Sequence, residues 1–219
     1  PADCAQALRD LHQAVMDLAD EAFHQRVAER MAHWPAQRQQ RLARVAAAAQ
    51  NPGTEDALNP AWVCAQIGLQ LRPDDVVINE AIRNSPAVLQ QIPRTRPMSF
   101  LGGAGGGLGY SGGMALGVKL ARPNDRVVHI EGDGGFHFST PTSVYAVAQA
   151  QGLPILTVVL DNGGWQAVKE AVLRVHPAGS RVPSYNLEQE IWRNVRVGGR
   201  DWPAKMLVLF YAAASFAFV

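Results

Sequence analysis

Apolar residues recur near helical spacing through the first fifty positions: Leu8, Leu11, Val15, Leu18, Ala22 and Val27. That period predicts an amphipathic helical segment over residues 3–50, punctuated by Pro35 and resumed by the strong helix formers of RQQRLARVAAAA. QNPGTEDALNP (50–60) breaks the pattern with Asn, Pro, Gly and Asp and reads as a linker. Beyond it the pattern changes. Asn59-Pro60 opens a helix through Leu71, with the proline where a first-turn proline costs nothing. RPDDVVINE then gives a turn and a short buried strand, Val76–Asn79. FLGGAGGGLGYSGGMALGVKLA is a glycine-rich loop running into a helix of small residues, and PNDRVVHIEGD is turn and strand again. A crossover helix over 140–151, the strand LPILTVVLD and the helix GWQAVKEAVLRVH follow. Apolar strands alternating with helices predict an α/β fold, a doubly wound parallel sheet in three layers, behind an N-terminal helical segment. Ligands in such sheets bind at the carboxyl ends of the strands.

The last forty residues follow no such period. SRVPSYNLEQEIWRNVRVGGRDWPAK carries no clear alternation, and MLVLFYAAASFAFV is too short to span a bilayer comfortably. The closing apolar run suits a final buried strand, a helix, or aberrant sequence. Three divisions are therefore expected: a helical linker or remnant over 1–57, an α/β domain over 58–179 and a divergent or aberrant tail over 180–219.

Composition narrows the field of functions. The formal charge is +1, and 18% of residues are charged. Neither sign is in excess, so no nucleic acid or membrane surface is indicated as partner. Arg26, Arg30, Arg38, Arg41 and Arg44 alternate with Glu, Gln and Ala, as on a solvated helical face. Cys4 and Cys64 make neither a metal spacing nor a disulfide framework, and with no signal peptide visible a reducing cytoplasm is the default.

Two glycine clusters then raise the question of chemistry. GDGG (132–135) ends one strand and DNGG (161–164) ends the next. Glycine is costly to order and packs nothing, so the clusters imply backbone that something approaches closely. Asp133 and Asn162 sit just past two strands joined by one crossover, which brings their oxygens toward a common point. Carboxylate, amide oxygen and backbone carbonyl are hard ligands suited to Mg2+ or Ca2+. Gly134, Gly135, Gly163 and Gly164 let N–H groups face an anion, and the helix starting near Trp165 points its positive end there. A divalent metal beside such a cavity is what a diphosphate needs.

GDG followed by an Asn-Asn-like pair resembles the thiamine diphosphate signature. The likeness runs from about residue 58 to 177 and covers the cofactor-binding, C-terminal domain of enzymes similar to acetolactate synthase and benzoylformate decarboxylase. It implies thiamine diphosphate and Mg2+ as cofactors, with Asp133, Asn162 and the Gly164 carbonyl as metal ligands. It also implies contacts to the cofactor from Gly106, Gly107 and Gly132, from Gly134 and Gly135 at the diphosphate, and from Leu108 propping the thiamine in its bent form. VVINE, ending at Glu80, is similar to the strand that opens the domain. The sequence departs from the family at Asp161, where Asn is usual, and in a slightly longer spacing from Asp133 to Asn162 that FSTPTS can absorb. The implied activity is decarboxylation or carboligation of a 2-oxo acid, the cofactor serving as electron sink.

The same resemblance places the glutamate that activates the cofactor in a separate pyrimidine-binding domain, usually a neighbouring subunit's. The expectation is accordingly a fragment, a truncated product or one subunit of a split enzyme, weakly active alone and at least dimeric when complete. His137 is a candidate proton shuttle or a structural histidine, and Glu131 a residue that tunes the site or a surface or paired carboxylate. Trp165 and Gln166 line a substrate pocket or merely pack. The competing readings are a Rossmann-type dinucleotide module, whose third glycine position falls on Leu108, and a non-catalytic subunit of a split enzyme.

Overall fold

The computed structural model describes residues 3–54, 57–103 and 107–177, together with the backbone of 196–197, 200–201 and 208–211. Two units divide the chain, Pro1–Ala47 and Ala48–Val219.

The first unit is helical. Helix α1 spans Cys4–Leu18 and α2 spans Glu21–Ala48, and neither buries a residue. Asp3 caps α1 by accepting from the Gln6 amide at 2.7 Å, and Asp20 accepts from the Phe23 amide at 2.6 Å as α2 begins. The interruption thus falls at Ala19–Asp20. Pro35, expected to punctuate the segment, lies inside α2, and the helix runs through it.

The second unit opens with a two-stranded ribbon, β1 (Gly53–Thr54) and β2 (Ala57–Leu58), inside the segment read as a linker. Asn59 closes that segment on itself, its Nδ2 donating to the carbonyls of Ala48 and Asn51 at 2.8 Å each. Its Oδ1 accepts from the Ala61 amide and caps α3 (Pro60–Gln70). Strand β3 (Val76–Glu80), a 3₁₀ turn (Ile82–Asn84), α4 (Ser85–Gln91), β4 (Phe100–Gly102) and α5 (Ser111–Ala121) come next. Strand β5 (Val127–Gly132) leads straight into the short α6 (Asp133–Phe138), then α7 (Pro141–Gln151), β6 (Leu156–Leu160) and α8 (Gln166–Val175). A small antiparallel pair, β7 (Arg196–Val197) with β8 (Arg200–Asp201), precedes β9 (Val208–Tyr211).

The main sheet has the order β4-β3-β5-β6-β9. The first four strands are parallel, as the apolar runs predict, and β9 pairs antiparallel with β6. The apolar tail therefore supplies an edge strand at 208–211, while the rest of 202–219 lies outside the described residues. β4 was not anticipated as a strand. FLGG carries one bulky pair before the glycines, and its strand character comes from pairing with Val77–Asn79 of β3.

Each face of the sheet has its own core. Val77, Val128, Ile130 and Val158 pack with Val63 and Cys64 of α3 and Val88 of α4. On the opposite face Val76, Ile78 and Val127 meet Ala115 and Leu116 of α5 and Ala148 of α7. This is the three-layer α/β arrangement expected. Among the described residues no helix is long and apolar enough to cross a membrane.

Candidate active site at the strand tips

The strand order reverses beside β3: its successor β4 lies on one side, whereas β5 and then β6 lie on the other. The chain ends leaving β3 and β5 therefore diverge and open a crevice above the sheet. Glu80 closes β3 and pairs in register with Glu131 of β5, one residue before Gly132 and two before Asp133. Asp161 and Asn162 follow β6 directly.

The two glycine clusters meet. The Gly164 amide donates to Asp133 Oδ2 at 2.8 Å, binding the turn after β6 to the turn after β5. Asp133 is 1% exposed, and burial pushes its carboxyl up to about 7, helped by the neighbouring Asp161 and opposed by the amides of Gly164 and Gly134. Two carboxylates thus face one another at the strand tips. Asn162 Oδ1 is buried there with no hydrogen-bond partner among the described residues. A buried acceptor without a donor costs about 1–3 kcal/mol, a cost that a cation held there would offset while relieving the carboxylate pair. The Gly164 carbonyl accepts from the Gln166 amide at 2.9 Å and keeps a second lone pair. An Asp, an Asn and a carbonyl fit a hard divalent ion. Among the described residues there is no group of three or more His, Cys, Asp or Glu side chains for a metal, so a softer multi-histidine or thiolate centre is not built here.

The glycines divide by what surrounds them. A Cβ at Gly107, Gly132 or Gly163 would meet nothing within 4 Å, so open space lies beside all three. At Gly134 it would stand 3.0 Å from the Trp165 ring, and at Gly135 it would lie 3.6 Å from the Glu80 and Glu131 carboxylates. Gly163 and Gly164 have φ of 78° and 148°, which side chains rarely adopt. Leu108 is half-buried on the loop before α5, and Gly106 lies outside the described residues.

The remaining candidates sort by position. Trp165 covers Gly134 and meets the exposed Phe138 edge-on at 6.0 Å. Gln166 begins α8 beside the Gly164 carbonyl. His137 is half-buried, and burial lowers its basicity against the opposing pull of Asp161. Glu131 is fully buried, and burial, reinforced by the Glu80 charge, pushes its carboxyl up to about 8. His129 Nε2 stands 3.4 Å from Glu131 Oε1 but engages the Ser111 hydroxyl at 2.6 Å. Burial also drives the imidazole down to about 3, so this contact joins two neutral groups near pH 7 and is not an ion pair.

Sequence reasoning missed Glu80, Ser111, His129 and Thr157 as a connected set. Glu80 accepts from the amides of Gly109 and Ser111, and His129 Nδ1 lies 3.3 Å from the Thr157 hydroxyl. A signal was present: in a strand covered on both faces, polar residues at alternate positions (His129, Glu131) must find partners on one face.

Comparison with known proteins identifies the family. Residues 84–195 match the family described as "Thiamine pyrophosphate enzyme, C-terminal TPP binding domain". The large subunit of acetolactate synthase isozyme 2 from Escherichia coli (strain K12) is 33% identical over 113 residues, which is 51% of this chain and 20% of that protein. Benzoylformate decarboxylase from Pseudomonas aeruginosa is 30% identical over 112 residues, 51% of this chain and 21% of the relative. The chain thus spans about a fifth of the length of these curated relatives. Among solved structures, the thiamine diphosphate-dependent 4-hydroxybenzoylformate decarboxylase of Rhodococcus jostii RHA1 superposes with a TM-score of 0.55 at 25% identity. That superposition covers 62% of this chain and 25% of that one. The match spans half of the sequence: the chain belongs to the thiamine pyrophosphate enzymes, as a C-terminal TPP-binding domain of acetolactate synthase and decarboxylase type.

Proposed function

We propose that residues 58–179 hold the diphosphate of thiamine diphosphate through one Mg2+, in a 2-oxo acid decarboxylase or carboligase. Asp133 and Asn162 serve as side-chain ligands and the Gly164 carbonyl as the third. Gly132, Gly134 and Gly135 flank the diphosphate, while Gly107 and Leu108 face the thiamine; Gly106, expected beside them, lies outside the described residues. Bound there, thiamine diphosphate supplies an electron sink for the carbanion formed when a 2-oxo acid loses CO2. The residues of this chain anchor, orient and shelter it. The activating glutamate falls to a pyrimidine-binding domain of another chain or segment, so the working enzyme is an oligomer or a larger polypeptide. The substrate class follows the names of the relatives, acetolactate synthase and benzoylformate decarboxylase.

The observation that carries the reading is the hydrogen bond from the Gly164 amide to Asp133 Oδ2, with Asn162 Oδ1, two residues before Gly164, buried and without a hydrogen-bond partner among the described residues. It ties the two turns into one site. Calorimetric titration of the chain with thiamine diphosphate tests it. Binding is expected with Mg2+ present, lost on adding EDTA, and weakened about a hundredfold in Asp133→Ala, the scale of losing a charged partner. Metal-independent binding of NADH, with no response to thiamine diphosphate, would point to the dinucleotide module instead.

A further inference from the structure

The end of β3 holds the loop that carries Leu108, and it does so from both sides. Glu80, only 1% exposed, spends both carboxylate oxygens on main-chain donors: Oε1 on the Gly109 amide and Oε2 on the Ser111 amide at 3.0 Å. The Tyr110 hydroxyl donates to the Asn79 carbonyl at 3.2 Å, and its ring lies where a Cβ on Gly103 would stand, 2.5 Å away. Gly109, at φ 79°, presses against the backbone of Phe138 and Ser139, with 2.7 Å between its virtual Cβ and those atoms. The loop is therefore clamped between β3 and the α6 turn that begins at Asp133. Register fixes Glu80 beside Glu131, so the clamp sits on the strand next to the one that leads into Asp133.

We propose that Glu80 is a positioning residue for the thiamine half of the cofactor: its carboxylate fixes Gly109 and Ser111, and through them the height of Leu108 above the crevice, without touching the metal. This rests on the thiamine diphosphate reading of the site. Glu80→Gln keeps the shape and the contact with Gly135 but turns one acceptor into an NH2 group facing an N–H donor. One bond is lost and two donors are opposed.

Two titrations of the chain with Mg2+ present separate the halves of the cofactor, one with thiamine diphosphate and one with inorganic pyrophosphate. In Glu80→Gln, thiamine diphosphate should bind about tenfold more weakly or worse, with pyrophosphate affinity within about twofold of wild type. Equal losses for both ligands would make Glu80 a merely structural residue and overturn the proposal, as would unchanged affinity for both. A wild-type chain that binds neither ligand overturns the cofactor reading itself, and this inference with it. Amide exchange in the wild type gives the same answer should the variant not fold. Gly109 and Ser111 amides should exchange slowly without ligand, and thiamine diphosphate but not Mg2+-pyrophosphate should slow Leu108. Fast exchange at Gly109 and Ser111, or identical effects of the two ligands at Leu108, contradicts the assignment.

Discussion

Single residues at the strand tips differ in what they tolerate, and the glycines show it most clearly. Gly109 sits at φ 79° with backbone 2.7 Å from any added Cβ, so Gly109→Ala pays both for a left-handed backbone and for displacing Phe138–Ser139. A loss of about 2–4 kcal/mol is expected in denaturant unfolding. Gly107 has open space around it and no positive φ, so Gly107→Ala should change stability by less than about 1 kcal/mol. Equal costs for the two would mean that the loop is not clamped as described. The places of Asp133 and Asn162 just past β5 and β6 were legible in the sequence because each follows an apolar run and stands among glycines. Glu80 was not, since one carboxylate ending an apolar run looks like an ordinary strand exit. Its partners are main-chain amides some thirty residues away, and no residue type advertises them.

Secondary-structure elements are pinned at their other ends by charge. Asp75, fully buried before β3, accepts from the Arg72 amide at 2.7 Å and from Arg126 Nε at 3.0 Å, with Arg126 Nη2 closing a two-pronged pair. Arg126 leads into β5, so this pair joins the starts of two neighbouring strands. Burial pushes the Asp75 carboxyl up, but bonds from Arg126 and Arg72 outweigh it and hold it below the ordinary range. A depressed folded pKa contributes stability above the unfolded value, about 3.9, and loses it as pH falls through the folded one. Asp75→Asn should therefore cost about 1–3 kcal/mol at pH 7, half-exposed Arg126 keeping the figure modest, and the gap should narrow below about pH 4. Urea unfolding at the two pH values checks this, and a gap that widens in acid contradicts it. Elements with a strong period or an apolar run (α3, β3, β5, β6, α7 and α8) were legible. β4 and α4 were not: β4 is three residues long and exists through its pairing with β3, and α4 is seven residues long, too short to show a helical period, with Pro86 in its first turn.

Across the second unit, one face of the sheet grades from apolar to polar along the strands. Val76, Ile78 and Val127 fill the core from the amino ends, His129 and Thr157 stand level with Ile78, and Glu80 and Glu131 pair at the carboxyl ends, where Glu80 accepts from the Ser111 amide. The apolar half holds the layers together and the polar half holds the loops in place, so stability and site geometry are carried by different ends of the same strands. The parallel order follows from alternating strands and helices and was readable in advance. The antiparallel edge β9 was not, because its sequence is uniformly apolar and carries no direction. What the topology achieves is convergence: the turns after β5 and β6 meet, the Gly164 amide donating to Asp133.

That convergence is tested most directly by anomalous diffraction from crystals of the chain grown with Mn2+ and thiamine diphosphate. One peak is predicted, with Asp133, Asn162 Oδ1 and the Gly164 carbonyl all within about 2.3 Å of it. An ion bound elsewhere, or a peak reached by only one of the two side chains, would contradict the account.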